Sequence, residues 1–207
     1  MRIGGSEILT CPFCGKEKRV MVIDSGNTFG GEWWSDNKRI SPMLPYVSAV
    51  QKCPECGKYY YKGSVKSKLD REVKCGETGE LTYPELKEAF AQLDEEGFGI
   101  GIMRQMMEGE VRMMLHHAYN DYFYRSGDGK VVPEEDKAMF HENALWLIKY
   151  IVSDKVMKAD FYREIGEMEE AKKMLDSVVL NDKFLEKIAR GIRERLEKND
   201  CVVFRIE

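Results

Sequence analysis

The chain has 207 residues, of which 43% are hydrophobic and 33% are charged, and its net charge is −4. This composition excludes wholesale disorder, because the apolar side chains suffice for one core or two small ones. The longest apolar stretch, ALWLIKYIV, is interrupted by Lys149 and falls far short of the roughly 20 residues that span a bilayer. The first residues contain no apolar signal region, so we expect a cytoplasmic protein without a membrane segment.

Residues 1–75 are predicted to form a small β domain. Gly, Pro and Cys are frequent in this part, and three short runs typical of β-strands occur in it, RVMVID, YVSAVQ and YYYKGSV. The first part of the chain has a mild excess of basic residues, whereas the remainder is acidic. A mild basic excess permits contact with nucleic acid but does not by itself argue for it.

Two near-identical turns, CPFCGK and CPECGK, contain four of the six cysteines, which are Cys11, Cys14, Cys53 and Cys56. In each turn Pro fixes one backbone angle, and Gly permits the left-handed conformation after the second Cys. Two such turns facing each other supply four sulfurs at about 2.3 Å from one ion, the tetrahedral arrangement of Zn²⁺. Four sulfurs leave no open coordination position, so this metal is predicted to be structural and not catalytic.

This pattern, over roughly residues 8–65, resembles the zinc ribbon family, and the resemblance implies that these four cysteines ligate Zn²⁺. The 38 residues between Cys14 and Cys53 exceed the usual spacing of about 15–20 and indicate an inserted loop. Two alternatives remain open. An iron–sulfur cluster uses the same ligands, and a redox-active C-x-x-C pair would need a βαβ setting. Cys75 and Cys201 are expected to be thiols outside the site.

The inserted loop contains the adjacent residues Trp33 and Trp34. In an extended segment their side chains point to opposite sides, so one ring can cover the ribbon while the other faces the helices or a partner. One hypothesis is that both rings serve packing. The other is an aromatic recognition surface, in which the two tryptophans are flanked by Lys38 and Arg39. These four residues are the candidate partner-binding set.

Residues 80–200 are predicted to form a helical domain. Apolar residues recur at spacings of three and four, and capping residues or acidic first turns mark several starts. The expected helices cover approximately residues 81–97, 103–125, 134–152, 155–165, 167–179 and 182–200, with Gly97 and Gly99 ending the first. Residues 201–207, CVVFRIE, are predicted to form a terminal strand that returns to the N-terminal sheet.

Within residues 152–183, small and aromatic side chains follow the pattern of a tetratricopeptide repeat, at Ala159, Tyr162, Gly166, Ala171 and Val178. Small residues let two antiparallel helices approach closely, and glycine allows the turn between them. Only this unit resembles the repeat, whereas the other helices fit hairpins by length, so we expect three stacked helical hairpins. The whole chain resembles a group of uncharacterised prokaryotic proteins that join a zinc ribbon to such helices, and this resemblance implies no known activity. The predicted fold class is α+β.

No catalytic motif is evident in the sequence. A phosphate-binding glycine loop and an H-E-x-x-H motif are both missing. Glu108, Arg112 and His116 share a helix face by their spacing of four, a pattern more typical of a solvated ladder of ion pairs. A hydrolase centred on His116 and Asp121 is therefore the weakest hypothesis, and we expect that the chain is not an enzyme.

These observations favour a cytoplasmic binding or adaptor protein, in which zinc stabilises the ribbon and the helical hairpins present a surface to a protein partner. The alternative is a nucleic-acid-associated protein. In that case the tryptophans and Tyr59–Tyr61 would stack on bases, and Lys38 and Arg39 would meet phosphate.

Overall fold

The structure is a computed structural model that describes residues 1–96 and 101–206. Short antiparallel strands occupy the first part of the chain, and six α-helices follow among the described residues. The α+β fold class predicted from the sequence is therefore confirmed.

The strands form three small sheets in the described part of the chain. They are β1 (Arg2–Thr10), β2 (Glu17–Ser25), β3 (Glu32–Trp33), β4 (Arg39–Ile40), β5 (Val50–Lys52), β6 (Tyr59–Tyr61) and β7 (Ser67–Asp70). The largest sheet has the order β2-β1-β7, and β3 pairs with β4 as β5 does with β6.

The helices begin and end close to the positions expected from periodicity and capping. They are α1 (Tyr83–Glu96), α2 (Gly101–Asn120), α3 (Glu134–Tyr150), α4 (Lys155–Glu164), α5 (Met168–Asp176) and α6 (Lys183–Leu196). A π-helical turn at Asp121–Arg125 continues α2. Gly97 and Gly99, which are predicted to end the first helix, lie outside the described residues.

The chain divides into two compact units. The first, here called the cysteine unit, comprises Met1–Gly31 and Ile40–Val111. The second, the helical unit, comprises Glu32–Arg39 and Arg112–Glu207. The cysteine unit thus includes α1 and the first half of α2, and the segment with the two tryptophans belongs to the helical unit. The domain boundaries 1–75, 80–200 and 201–207 stay predictions.

In the cysteine unit, β1 lies at the centre of its sheet and is antiparallel to both neighbours. The register of β1 against β2 shifts near Gly5, which has a φ of +135°. A Cβ atom at Gly5 would lie 2.4 Å from the carbonyl oxygen of Asp70, so only glycine allows β7 to approach this closely. Leu9 and Val20 are fully buried at the core of the unit, and Tyr60 packs with them.

Helix α1 is capped at its start and is bound to β6 by one side chain. The carboxylate of Glu85 accepts hydrogen bonds from the backbone N–H and the hydroxyl of Thr82, at 3.1 and 2.9 Å, which caps the helix start. The amide of Gln92 exchanges two hydrogen bonds with the backbone of Tyr59, at 3.0 and 2.9 Å. Gln92 therefore satisfies the edge of β6 as a neighbouring strand would.

In the helical unit, α4 and α5 pack through small residues. Ala159 and Ala171 are fully buried in the same core cluster, and Gly166, with a φ of +84°, makes the turn between the helices. Gly191 of α6 provides a second close approach, because a Cβ there would lie 2.6 Å from the ring of Phe204. The terminal residues can therefore pack directly on α6.

The terminal residues pair with the segment that contains the tryptophans. Ser35 N–H donates to the carbonyl of Phe204, and Ile206 N–H donates to the carbonyl of Trp33, both at 2.8 Å. Trp34 and Arg205 form a single antiparallel bridge. The described tail residues thus pair with residues 33–35 through an isolated bridge, and this pairing holds segment 32–39 within the helical unit.

Candidate functional site

The two cysteine turns have the same backbone geometry. Cys11 N–H donates to the carbonyl of Lys16 at 2.8 Å, and Gly15 N–H donates to the carbonyl of Cys11 at 3.0 Å. The second turn repeats both hydrogen bonds at 2.9 and 3.0 Å. Gly15 and Gly57 have φ values of +74° and +71°, which explains why glycine follows the second cysteine of each pair.

The turns bring four sulfurs together. The first turn connects β1 to β2, and the second connects β5 to β6. Cys11 and Cys53 are buried with the apolar core of the cysteine unit, whereas Cys14 and Cys56 are exposed. All four Sγ atoms lie within 4.8 Å of one another, and the cluster could hold a metal ion. The long insertion between the pairs therefore does not keep the sulfurs apart.

The sulfur spacing matches a tetrahedral site. The Sγ atoms of Cys11 and Cys56 are 3.7 Å apart, and those of Cys14 and Cys53 are 3.6 Å apart. Four sulfurs at about 2.3 Å from a central ion form a tetrahedron with edges of about 3.8 Å. All six cysteines are free thiols, so no disulfide competes for these sulfurs.

The thiols influence one another's ionisation. The backbone of Lys16 lowers the pKa of Cys14, but burial and the neighbouring sulfurs outweigh this and raise it to about 12. Burial raises the pKa of Cys53, but the backbone N–H groups of Cys56 and Glu55 outweigh it and lower this pKa to about 7. Four adjacent thiolates repel one another, and a divalent cation at the centre removes that repulsion.

The predicted partner-binding residues lie in the helical unit and make specific contacts. The ring of Trp33 meets Phe184 edge-on at 5.7 Å, and the guanidinium of Arg39 lies 4.7 Å from the Trp33 ring centre. Trp34 lies under the guanidinium of Arg125, at 4.9 Å. Both tryptophans therefore contribute to packing, while Trp33 keeps 36% of its surface exposed.

Lys38 and Arg39, the other two predicted partner-binding residues, also have intramolecular partners. Lys38 forms an ion pair with Asp121, and Arg39 is exposed beside Trp33. Two of the three tyrosines invoked for base stacking are core residues, because Tyr59 and Tyr60 are 4% and 2% exposed. Burial of these rings removes them from any stacking surface.

His116 is buried, which corrects the expectation of a solvated ion-pair ladder. It is fully buried between the rings of Phe140 and Phe161, at 4.6 and 4.2 Å, and Glu108 and Arg112 are also buried. The spacing of four had correctly placed the three residues on one face, but that face is covered.

A buried charge cluster surrounds His116. Glu164 Oε2 accepts a hydrogen bond from Asn120 Nδ2 at 3.0 Å and lies within hydrogen-bond distance of His116 Nε2, also at 3.0 Å. The Asn120 amide also donates to Asp36 Oδ2 at 3.0 Å, and Arg125 pairs with the same carboxylate. Asp36 thus anchors segment 32–39 to α2 and its π-helical turn.

Arg163 forms the other half of the buried charge cluster. Its guanidinium donates to Asp160 Oδ1 at 2.7 and 2.8 Å, and to the carbonyls of Asp200 and Val202 at 2.8 and 2.9 Å. Arg163 and Asp160 are both fully buried. One side chain therefore connects α4 to the terminal residues of the chain.

Burial sets the protonation of this cluster. It raises the pKa values of Asp160 and Glu164 to about 7, and it lowers the pKa of His116 to about 4. Asp160 Oδ2 and Glu164 Oε1 are buried without a hydrogen-bond partner among the described residues, one helical turn apart. A proton held by this carboxyl pair satisfies both oxygens.

Charge balance leads to the same protonation. The cluster contains three carboxyl groups, those of Asp36, Asp160 and Glu164, and the two guanidinium groups of Arg125 and Arg163. Burial raises the pKa of Asp36, but His117 and Arg125 outweigh it and hold that pKa at about 2, so Asp36 stays ionised. One proton on the carboxyl pair leaves the buried cluster neutral.

The remaining predicted features lie outside these two clusters. Cys75 is exposed and Cys201 is half-buried, and neither belongs to the described group of cysteines that could hold a metal. Asp121 lies at the margin of the charge cluster, where it pairs with Arg125 at 2.6 Å and with Lys38. It does not contact His116 through any described hydrogen bond.

The fold and the site define an α+β protein with a four-cysteine cluster able to hold a metal ion. Comparison with known proteins found no matching family model, no matching curated protein and no matching solved structure. Among the described residues, every helix is too short or too polar to cross a bilayer.

Proposed function

We propose that this chain is a zinc-stabilised cytoplasmic binding protein whose helical unit presents a surface to a protein partner. The observation that carries the metal part is the clustering of Cys11, Cys14, Cys53 and Cys56, with two Sγ–Sγ distances of 3.6 and 3.7 Å. A four-sulfur donor set suits Zn²⁺, and it has no vacant position for substrate. The metal would therefore organise the cysteine unit without taking part in catalysis.

The binding role is supported by the side chains at the surface of the helical unit. Trp33 and Phe184 are 36% and 43% exposed, and Arg39 is exposed beside them. Aromatic residues and arginine are enriched at protein interfaces. The titratable groups of the charge cluster are engaged with one another in the interior, so we retain the expectation that the chain is not an enzyme.

The metal is tested on protein purified under reducing conditions without added metal. We expect inductively coupled plasma mass spectrometry to find one zinc per chain, and X-ray absorption to show four sulfur ligands. A Cys14→Ser variant should lose zinc, whereas the exposed Cys75→Ser control should retain it. Iron with a visible sulfur-to-iron absorption band, or protein that binds no metal, would exclude the zinc site.

The binding role is tested by crosslinking and affinity capture from native lysate with wild-type protein and a Trp33→Ala variant. Phe29→Ala is a matched control, because Phe29 is an 81% exposed aromatic residue of the cysteine unit. We expect captured proteins to depend on Trp33 and not on Phe29. Identical sets from all three baits would count against a recognition surface at Trp33.

A nucleic-acid-associated role is the second candidate, and one observation favours it. Phe13, in the first cysteine turn, is 39% exposed, and the ammonium of Lys58 from the second turn lies 4.5 Å from its ring centre. An exposed ring beside a cation suits base stacking next to phosphate. Binding to mixed oligonucleotides that weakens steeply with salt and is lost in Phe13→Ala would support this role.

A further inference from the structure

A cavity lies within the helical unit, between segment 32–39, the start of α4, helix α6 and the terminal residues. Its volume is about 150 Å³. The apolar side chains that line it include Trp33, Trp34, Val156, Phe184, Ile188 and Ile206. Because Trp33 and Phe184 are partly exposed, their rings stand where the cavity meets solvent.

The size of the cavity suits one large apolar side chain. An apolar protein cavity of about 150 Å³ is known to admit a benzene molecule. Trp33 and Phe184 already meet edge-on at an interplanar angle of 73°, and an incoming aromatic ring can extend this arrangement. A phenylalanine or leucine side chain is therefore a fitting occupant.

The ring of Trp34 also lines the cavity, but its polar atom is not accessible from the opening. Its Nε1–H is buried and has no acceptor among the described residues. The carboxylate of Asp154, which also lines the cavity, is engaged in capping α4 through Met157 N–H at 2.9 Å.

A basic groove adjoins the cavity. Its volume is about 300 Å³, and Ile206 lines both hollows. Four cationic side chains line the groove against the single carboxylate of Glu194, and they are Lys187, Arg190, Arg195 and Arg205. The apolar hollow and the basic hollow meet at Ile206, and we call the two together the α6–tail surface.

Two of these cations are available to a ligand. Arg205 pairs with Glu32 at 2.8 Å, and the guanidinium of Arg195 lies 3.7 Å from the ring centre of Phe204. Lys187 and Arg190, one turn apart on α6, are exposed and form no ion pair with any described residue. Their charges face a groove without enough carboxylates to balance them.

We propose that the α6–tail surface binds an acidic peptide segment that carries one large apolar residue. The apolar side chain enters the cavity beside Trp33 and Phe184. Flanking Asp or Glu side chains pair with Lys187 and Arg190. This inference rests on the proposed binding function and adds the chemistry of the partner.

The test is selection from a random 12-residue peptide library on immobilised wild-type protein and on a Lys187→Glu/Arg190→Glu variant. The matched control is Lys183→Glu/Arg193→Glu, which makes the same change of charge on α6 at exposed positions outside both hollows. Circular dichroism and thermal unfolding verify that the three proteins are equally folded.

We expect wild type and control to enrich peptides with one large apolar residue flanked by Asp or Glu. The Lys187→Glu/Arg190→Glu protein, here called the groove variant, should not enrich these peptides. Titration calorimetry with a synthetic copy of the most enriched peptide should show at least tenfold weaker binding to the groove variant. Binding to the control should remain within twofold, and replacing the apolar residue of the peptide by serine should abolish it.

Several outcomes would overturn the proposal. One is that the protein enriches no peptides over an unrelated immobilised protein. Another is that the enriched peptides lack Asp and Glu. A third is that wild type and groove variant enrich the same peptides. A wild-type dimer that the groove variant converts to monomer would assign the surface to a second copy of the chain. Lysate capture that depends on Trp33, without acidic peptides in the selection, would leave the binding function standing and remove only this partner class.

Discussion

The cysteine unit and the helical unit each contain a cluster of polar side chains, but the two clusters differ in chemistry. In the cysteine unit, four sulfurs converge from two turns of the same geometry and form a cluster that could hold a metal ion. In the helical unit, three carboxyl groups and two guanidinium groups balance one another with the help of one proton. We therefore expect the stability of the first unit to respond to metal removal and that of the second to pH.

The two clusters also differ in how far apart their residues lie in the sequence. The sulfur cluster comes from local turns that repeat in sequence, so each half forms through contacts between residues at most five positions apart. The charge cluster connects Asp36 to Glu164 through Asn120, across long stretches of chain. A cluster built from local turns can be recognised by its sequence motif, whereas a cluster of residues distant in sequence can be recognised only in the folded structure.

Removal of the metal should produce the largest effect, and it should separate the two units. Structural zinc contributes on the order of 10 kcal/mol to folding in small zinc domains. We expect a strong zinc chelator to abolish amide hydrogen-exchange protection in β1, β2 and β5, while α4 and α6 keep theirs. Unchanged protection of the strands after metal loss would show that the cysteine unit folds without the metal.

Replacement of Arg163 by methionine should produce the next largest effect, confined to the helical unit. Loss of one partner of a buried ion pair costs about 3–5 kcal/mol, because the remaining charge is buried alone. Asp160 would lose its cation, and the carbonyls of Asp200 and Val202 would lose their donors.

Denaturant unfolding of Arg163→Met measures this change. The exposed Arg193→Met on α6 is the control, and its free energy of unfolding should stay within about 0.5 kcal/mol of wild type. Equal stability of both variants would show that the buried ion pair contributes little.

The pH dependence of stability should report the proton of the carboxyl pair. The pKa values of Asp160 and Glu164 are raised in the folded state, so this carboxyl pair binds more protons in the folded protein than in the unfolded chain between about pH 4 and 7. This contribution to the free energy of unfolding is fully present below pH 4 and is lost as pH rises to about 7.

Glu164→Gln isolates this effect, because its amide resembles the protonated acid and can donate to Asp160. The free energy of unfolding of Glu164→Gln minus that of wild type should rise between pH 4.5 and 8, by up to about 3 kcal/mol. In the folded protein the pKa values of His116 and His117 are about 4, below this pH range, and the histidines of the unfolded chain titrate alike in both proteins. The exposed Glu142→Gln control should follow wild type. A difference that does not vary with pH would place the proton elsewhere.

The smallest expected effect concerns a local contact on the surface of the helical unit. Asp182 caps α6, and its Oδ1 accepts from the backbone N–H groups of Phe184 and Leu185 at 2.9 and 3.0 Å. Asp182→Ala should lower the free energy of unfolding by about 1 kcal/mol, which thermal unfolding measures. Asp176→Ala, an exposed residue at the end of α5, is the control. If Asp182→Ala lowered the free energy of unfolding as much as Arg163→Met does, the cap and the charge cluster would unfold together.

Much of the secondary structure could be predicted, because its signals are local. Thr82 and Glu85 formed the expected cap of α1, and Gly166 makes the turn between α4 and α5. The sulfur cluster is also local in origin, since the Pro and Gly around each cysteine pair dictate the turn. These predictions depended on residues a few positions apart, where backbone geometry leaves few choices.

The burial of charge could not be predicted in the same way. The spacing of four placed His116 on a face with Glu108 and Arg112, but it could not show whether water or protein covers that face. One signal was present in the sequence around Arg163, because Asp160 stands between the apolar residues Ala159 and Phe161, and Arg163 follows one turn later. Charged residues next to a small-residue packing face are candidates for buried pairs.

The sequence by itself determined the class of fold, the approximate helices and the two turns that carry the cysteines, because these follow from short-range geometry and periodicity. Only the tertiary structure decided that Trp33 and Trp34 pack with the helices and that the tail pairs with residues 33–35. It also decided that Asp36 lies among buried charges. Those outcomes depend on desolvation and on contacts between distant residues, which no local pattern of side chains encodes.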